Sequence, residues 1–405
     1  MAKPRGRSGT HAEGDYTSRA LDERQDEQEV PRGAPLSLAE KRYPRRNPTH
    51  TSRLALRNRS EDGRAQPCVS AVGSDEVRVL FLGGTGPVGM SASRIALARG
   101  HEVVVAHSGK HEPGDVSVRH LHGERDALLA PGGPAARARP DVIVDTRTTE
   151  ENVAALLRCA REAGTQRLVI VSSTDVYEYF VSGSGDESAG GRPVLPSQTL
   201  PITEDAPLRM APYPWATPGH DNAAMERALN GARRDESVAV LRPGMIYGIG
   251  AAGREWTLVS RIHAGIRRLE LPDGGAQFFA RVALDRVGAA VVAAAEHAAE
   301  GCWPVNVVDP YGWTYAGLAK EVGRLLNWEW EPIIVPWDQA NHPFKIQSPY
   351  FCSDARLRET LAVTEPDPRD ALAQTVEWLW EHGAEHYSDH LRESTPTARG
   401  PEKGG

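Results

Sequence analysis

Apolar residues fall along this chain in two alternating rhythms. Short runs rich in Val, Ile and Leu occur at Val77–Leu82, Glu102–Ala106, Asp141–Asp145, Arg167–Val171 and Ser237–Arg242, each too brief for a helix. Strands buried on both faces have this composition. Between them, apolar residues recur at helical spacing over Met90–Arg99, closed by Gly100 as a C-cap, and over Asn152–Ala163, ended by Gly164. The alternation predicts an α/β fold, a parallel sheet with helices on both faces. After Gly244 the pattern becomes mixed. Helices are expected over Trp256–Arg268, Leu284–Ala299, Tyr315–Asn327 and Arg369–His382, with short strands between. The first 75 residues carry charge runs with many Pro, Gly and Ser but no apolar period, so they are expected to be a disordered tail. The expected layout is therefore a tail over 1–75, an alternating α/β part over 76–245, a smaller mixed lobe over 246–386 and a second polar tail over 387–405.

The first strand is followed directly by Gly83-Gly-Thr-Gly-Pro-Val-Gly89, which also opens the first helix. Glycines at this spacing allow a tight turn, close approach of backbone amides to a pyrophosphate, and close helix–strand packing. The helix N-terminus adds its partial positive charge. Gly83, Gly86, Pro87, Val88 and Gly89 are accordingly expected to hold a dinucleotide. The second strand runs into Val105-Ala-His-Ser-Gly-Lys-His111, without the acid that would bind a ribose 2′-hydroxyl and repel a 2′-phosphate. Ser108 and Lys110, with His107 beside them, favour NADP, and NAD is the alternative.

These residues, together with Ser172-Ser-Thr-Asp-Val-Tyr177, Arg242-Pro-Gly-Met-Ile-Tyr-Gly248, Val282–Gly288 and Thr375–Trp380, resemble the extended branch of the short-chain dehydrogenase/reductase superfamily, the epimerase/dehydratase type. The resemblance spans about Val77 to His382. Gly123-Glu-Arg-Asp126, with the stretch from Gly100 to Lys110, is similar to the atypical members, which include chloroplast RNA-associated proteins. It implies a Rossmann doubly wound sheet with a smaller mixed C-terminal lobe. It also implies Glu124 near the adenine, Asn222 and Pro243 beside the cofactor, and Ser173 orienting the substrate oxygen. A Tyr-x-x-x-Lys pair is implied as well, and here the sequence departs from the pattern. Aligning Glu226 with the acid that follows the lysine puts Pro218 at the tyrosine position and Asn222 at the lysine position. Proline carries no titratable proton and asparagine no positive charge. His220 or Tyr177 is then the expected replacement acid/base, with Tyr213 disfavoured because Pro214 follows it.

Composition narrows the reading. The net charge of −7 argues against a chain whose main task is coating nucleic acid, although residues 31–64 hold nine Lys or Arg against three acids. No run approaches the roughly 18 apolar residues of a membrane span, and no secretory leader is read at the N-terminus. Cys68, Cys159, Cys302 and Cys352 lack CxxC pairing, which suits a reducing, cytoplasmic setting. His120-Leu-His122 and His382-Gly-Ala-Glu-His386 are read as chance spacings, so no metal is expected. The expectation is an NAD(P)-dependent epimerase/dehydratase-like or reductase-like enzyme acting on a nucleotide sugar or small natural-product intermediate. The resemblance further implies a homodimer, paired through helices of the kind at Asn152–Ala163 and Pro218–Arg234. A non-catalytic dinucleotide sensor or scaffold, or an RNA-associated protein, are the alternatives.

Overall fold

A computed structural model describes residues 76–109, 118–182, 199–213, 216, 219, 221–231, 237–251, 253–297, 299–337 and 348–393. The chain runs through β1 (Arg78–Leu82), α1 (Pro87–Ala98), β2 (Glu102–His107), β3 (Arg119–His122), α2 (Arg125–Leu128), α3 (Pro134–Arg137), β4 (Val142–Asp145), α4 (Val153–Ala163), β5 (Arg167–Val171), α5 (Glu178–Ser182), α6 (Asn222–Gly231) and β6 (Ser237–Pro243). Then follow β7 (Met245–Tyr247), α7 (Trp256–His263), β8 (Arg268–Pro272), β9 (Arg281–Ala283), α8 (Leu284–Glu296), β10 (Cys302–Val307), α9 (Tyr315–Leu325), β11 (Glu331–Val335), α10 (Ala355–Leu361) and α11 (Pro368–Glu393).

Among the described residues, seven strands form one sheet in the order β10-β6-β5-β4-β1-β2-β3, and every neighbouring pair is parallel. Side-chain alternation divides the strand residues between two cores. Val79 and Phe81 of β1 and Val103 and Val105 of β2 pack with Ala92 of α1 and Val287 and Val291 of α8. Leu80, Leu82, Val104 and Ala106 pack on the opposite face with Leu156 of α4 and Met225 of α6. The doubly wound sheet expected from the apolar runs is the observed one. The chain leaves β1 toward β2 and β3 on one side and returns to β4 on the other. This reversal opens a crevice at the strand ends, where ligands of such sheets bind.

The smaller lobe is mixed. Two-stranded sheets β8–β11 and β7–β9 accompany a third core built on Leu258, Val259, Leu318, Val322 and Leu379. Trp313, Trp328 and Trp330 pack against that core. One expectation is corrected. α11 runs on to Glu393, past the boundary at 387 expected for the tail. Gly383 seats this helix against α7: a Cβ there would lie 2.5 Å from Trp256 Cζ3. Asp285, in the first turn of α8, accepts the Ser91 hydroxyl of α1 at 2.9 Å, while the N-cap is Ala283 with no side-chain bond. Among the described residues no helix is long and apolar enough to cross a membrane.

Candidate active site

The strand ends frame a cleft of about 910 Å³ that runs from the phosphate loop to the end of β5. At the loop, Gly83 sits at φ +77°, and a Cβ there would lie 2.7 Å from Thr146 Oγ1. Gly89, in the first turn of α1, presses on the turn itself, since its Cβ would fall 2.5 Å from Gly84 Cα. Gly86 has no atom nearer than 3.7 Å to such a Cβ. Close packing is thus imposed behind the loop and space is kept in front of it, which is what a diphosphate lying on backbone amides requires. Arg147 was not anticipated. It is exposed, lines the cleft, and its Cγ and Cδ lie 3.3 and 3.4 Å from the Gly83 Cβ position, so its stem packs beside the loop.

At the edge end, His107, Ser108, Glu124 and Arg125 line the cleft, Ser108 and Glu124 being exposed. Arg125 is held by Asp145, a fully buried carboxylate at the end of β4, through Nη2 and, at 3.1 Å, through Nη1. A buried carboxylate needs such a partner. Lys110 lies outside the described residues.

At the far end, Ser173, Asp175, Asn222 and Pro243 line the cleft. Ser173 caps a short 3₁₀ turn, its Oγ accepting the Asp175 amide at 3.1 Å, which leaves the half-buried hydroxyl at the cleft wall. Asp175 is a central group that the sequence reading passed over. Its carboxylate accepts the Tyr213 hydroxyl at 3.2 Å and the Asn222 amide at 3.3 Å, and Arg209 Nη2 approaches to 3.8 Å. Burial and the Asp175 charge push the Tyr213 phenol up to about 12. Asp221 does what its place in the first turn suggests, accepting the Ala223 and Ala224 amides at 3.1 and 3.2 Å while pairing with Arg209. His220 and Pro218 lie outside the described residues.

The expectation for Tyr177 is corrected. It is fully buried beneath the cleft, donating its hydroxyl to Asn306 Oδ1 at 2.6 Å and accepting from Arg242 Nη1 at 2.9 Å. Burial raises this phenol well above its ordinary value. It is a strut in a buried network. Glu226 belongs to the same network: it pairs with Arg242 at 2.6 Å and accepts the Ser172 hydroxyl at 2.6 Å. Tyr179 is packed, with its hydroxyl donating to the Pro349 carbonyl at 2.9 Å. The two histidine spacings also separate. His120-Leu-His122 is not a chance pair on a solvated end but part of β3, where it meets His107.

No family model matches the chain. It is 32% identical over 258 residues to the 3-diazoavenalumate denitrifying reductase of a Streptomyces species, covering 58% of this chain and 77% of the relative. The chain therefore belongs to the short-chain dehydrogenase/reductase superfamily. A second superfamily member, the 2′-dehydrokanamycin reductase of Streptomyces kanamyceticus, is 28% identical over 276 residues, which cover 66% of this chain and 71% of that protein. Solved structures show the extended, epimerase/dehydratase form of the fold. The Bordetella bronchiseptica enzyme WbmG in complex with NAD and UDP superposes with a TM-score of 0.57 at 18% identity, over 77% of this chain and 97% of its own. A UDP-glucose-4-epimerase from Stenotrophomonas maltophila with bound NAD gives 0.55 at 17% identity, over 76% and 99%.

Proposed function

We propose that the protein is an NADP-preferring reductase that converts a carbonyl of a natural-product or sugar intermediate to an alcohol, with NAD the less preferred cofactor. The supporting observation is the continuity of one cleft, from Gly83 and Arg147 over the loop to Ser173, Asp175 and Asn222 at the end of β5. Both sequence relatives are reductases, which favours this chemistry over the epimerisation carried out by the fold neighbour.

Bound in this cleft, the dinucleotide would supply hydride. The amides of the Gly83–Gly89 loop, with Pro87 and Val88 opening α1, would hold its diphosphate, and Arg147 would add a cation. Ser108 and Lys110 would take the 2′-phosphate, Glu124 the adenine side, and Asn222 and Pro243 the far end. Ser173 orients the substrate oxygen. The chain's remaining task is to deliver a proton to that oxygen, from His220 or from the Tyr213–Asp175 pair. With Pro218 and Asn222 in place of Tyr and Lys, no lowered phenol pKa is available to pull a proton from an alcohol. A homodimer joined through α4 and α6 belongs to the same reading and is checked by light scattering.

Full-length protein mixed with 4-deuterated NADPH and a panel of keto-sugars and keto natural products should return deuterated alcohol. Ser173→Ala should lower kcat/KM about 100-fold. If calorimetry shows either dinucleotide binding while none is oxidised across the panel, the dinucleotide-binding sensor reading replaces the enzyme. That second reading is favoured by Pro218 and Asn222 alone.

A further inference from the structure

β2 and β3 run parallel in a register that sets His107 opposite His122 and Val105 opposite His120. Residues two apart on a strand share a face, so all three imidazoles emerge on one side of the sheet's edge. The His107 ring centroid lies 5.0 Å from that of His120 and 4.7 Å from that of His122, and the last two are 5.9 Å apart. One nitrogen from each ring falls within 4.8 Å of the other two. His107 is buried, His120 half-buried and His122 exposed, so the group has a sheltered floor and an open side for entry.

The hydrogen bonds define the proton positions. The Gly109 amide can only donate, and it reaches His107 Nδ1 at 3.1 Å. Nε2 of His107 then carries the ring proton and donates to His120 Nδ1 at 2.8 Å. This is a donor-to-acceptor arrangement of the kind a metal ion displaces. Two ligands of a tetrahedral ion at about 2.0–2.1 Å stand roughly 3.3 Å apart, so the His107–His120 pair opens by about half an ångström. The exposed His122 turns in to complete the set. On coordination through Nε2 the His107 proton moves to Nδ1 and the Gly109 amide is released.

We propose that His107, His120 and His122 form a site for one divalent transition-metal ion of the zinc, nickel or copper class. Three imidazoles without a thiolate suit those ions and leave a fourth position open. Calcium and magnesium, which require oxygen ligands, are not expected to bind. The site is not catalytic for the proposed reaction, because β1 and β4 separate β2 from β5, a span of roughly 14 Å at the usual strand spacing. The ion ties the four-residue edge strand β3 to β2, and with it the Gly123-Glu124 segment of the cleft wall. The proposal does not depend on which reaction the cleft performs.

The test is zinc titration of the full chain by calorimetry, with cobalt as a spectroscopic probe. One tight equivalent of zinc and a tetrahedral cobalt spectrum are expected. His122→Gln, an exposed substitution, should weaken zinc by at least ~100-fold, beyond what loss of an outer-sphere partner gives. Metal-free melting of that variant should match the parent. The double variant His382→Gln/His386→Gln should bind as the parent does. Absence of tight zinc would overturn the site and leave only a hydrogen-bonded trio. So would affinity unchanged in both His122→Gln and His120→Gln, or affinity lost with the His382/His386 pair.

Discussion

The phosphate loop and the reaction end of the cleft stand on strands of one sheet, β1 and β5, with only β4 between them, yet they are built from different materials. At the loop the work falls to backbone: Gly83 and Gly89 with no room for a Cβ, Gly86 with open space, and amides at a helix N-terminus, with Arg147 beside them. At the reaction end it falls to side chains from distant segments. Asp175 follows β5, Asn222 begins α6 and Arg209 and Tyr213 come from the loop between them, while Glu226 and Arg242 brace the floor. A backbone device is written in consecutive residues. A side-chain constellation depends on contacts that span many positions, and it tolerates replacement of its members.

The largest test of this contrast lies under the reaction end. Arg242→Met leaves Glu226, 2% exposed, without its charge partner, and should cost about 3–5 kcal/mol in denaturant unfolding. Little loss would mean that the floor is not held by charge. Next comes the loop. Gly89→Ala drives a Cβ into the Gly84 backbone and should destabilise by about 1–3 kcal/mol, whereas Gly86→Ala, with open space before it, should change stability by less than about 0.5 kcal/mol. Any effect of the latter should appear in dinucleotide affinity, and equal melting shifts for the two would erase the distinction drawn at the loop. Arg147→Ala should weaken dinucleotide binding about tenfold, about 1.4 kcal/mol, more at low salt than at high, with melting unchanged. The smallest effect belongs to Tyr213→Phe, which deletes one hydrogen bond to Asp175 and should cost about 0.5–1.5 kcal/mol. A much larger fall in kcat than in stability would assign the proton to Tyr213 in preference to His220.

What could be read from the chain follows the same division. The interior strands β1, β2, β4, β5 and β6 were all legible, because burial on both faces demands unbroken apolar runs. Both edges escaped notice: β3 reads Arg-His-Leu-His, and β10 opens Cys-Trp-Pro. An edge strand has one neighbour and faces solvent, so nothing forces its sequence to be apolar or free of proline. Missing β3 is also why the His120-Leu-His122 spacing looked accidental, since its third member, His107, lies on the neighbouring strand.

Tyr177 shows the converse error. Its place after the Ser173 turn suggested reach toward a substrate, and only the packing against Asn306 and Arg242 reveals that it faces inward. Asp175 could have been found, because it stands two residues past Ser173, but a carboxylate there reads equally well as a turn residue. By itself the sequence determined the doubly wound sheet and the tight glycine turn after β1, because burial period and glycine spacing are local quantities. Tertiary structure alone decided which carboxylate meets which tyrosine, that Arg147 lies beside Gly83 on the cleft wall, and that three histidines converge. Those are distances between strands and loops, set by register and packing, and no stretch of consecutive residues contains them.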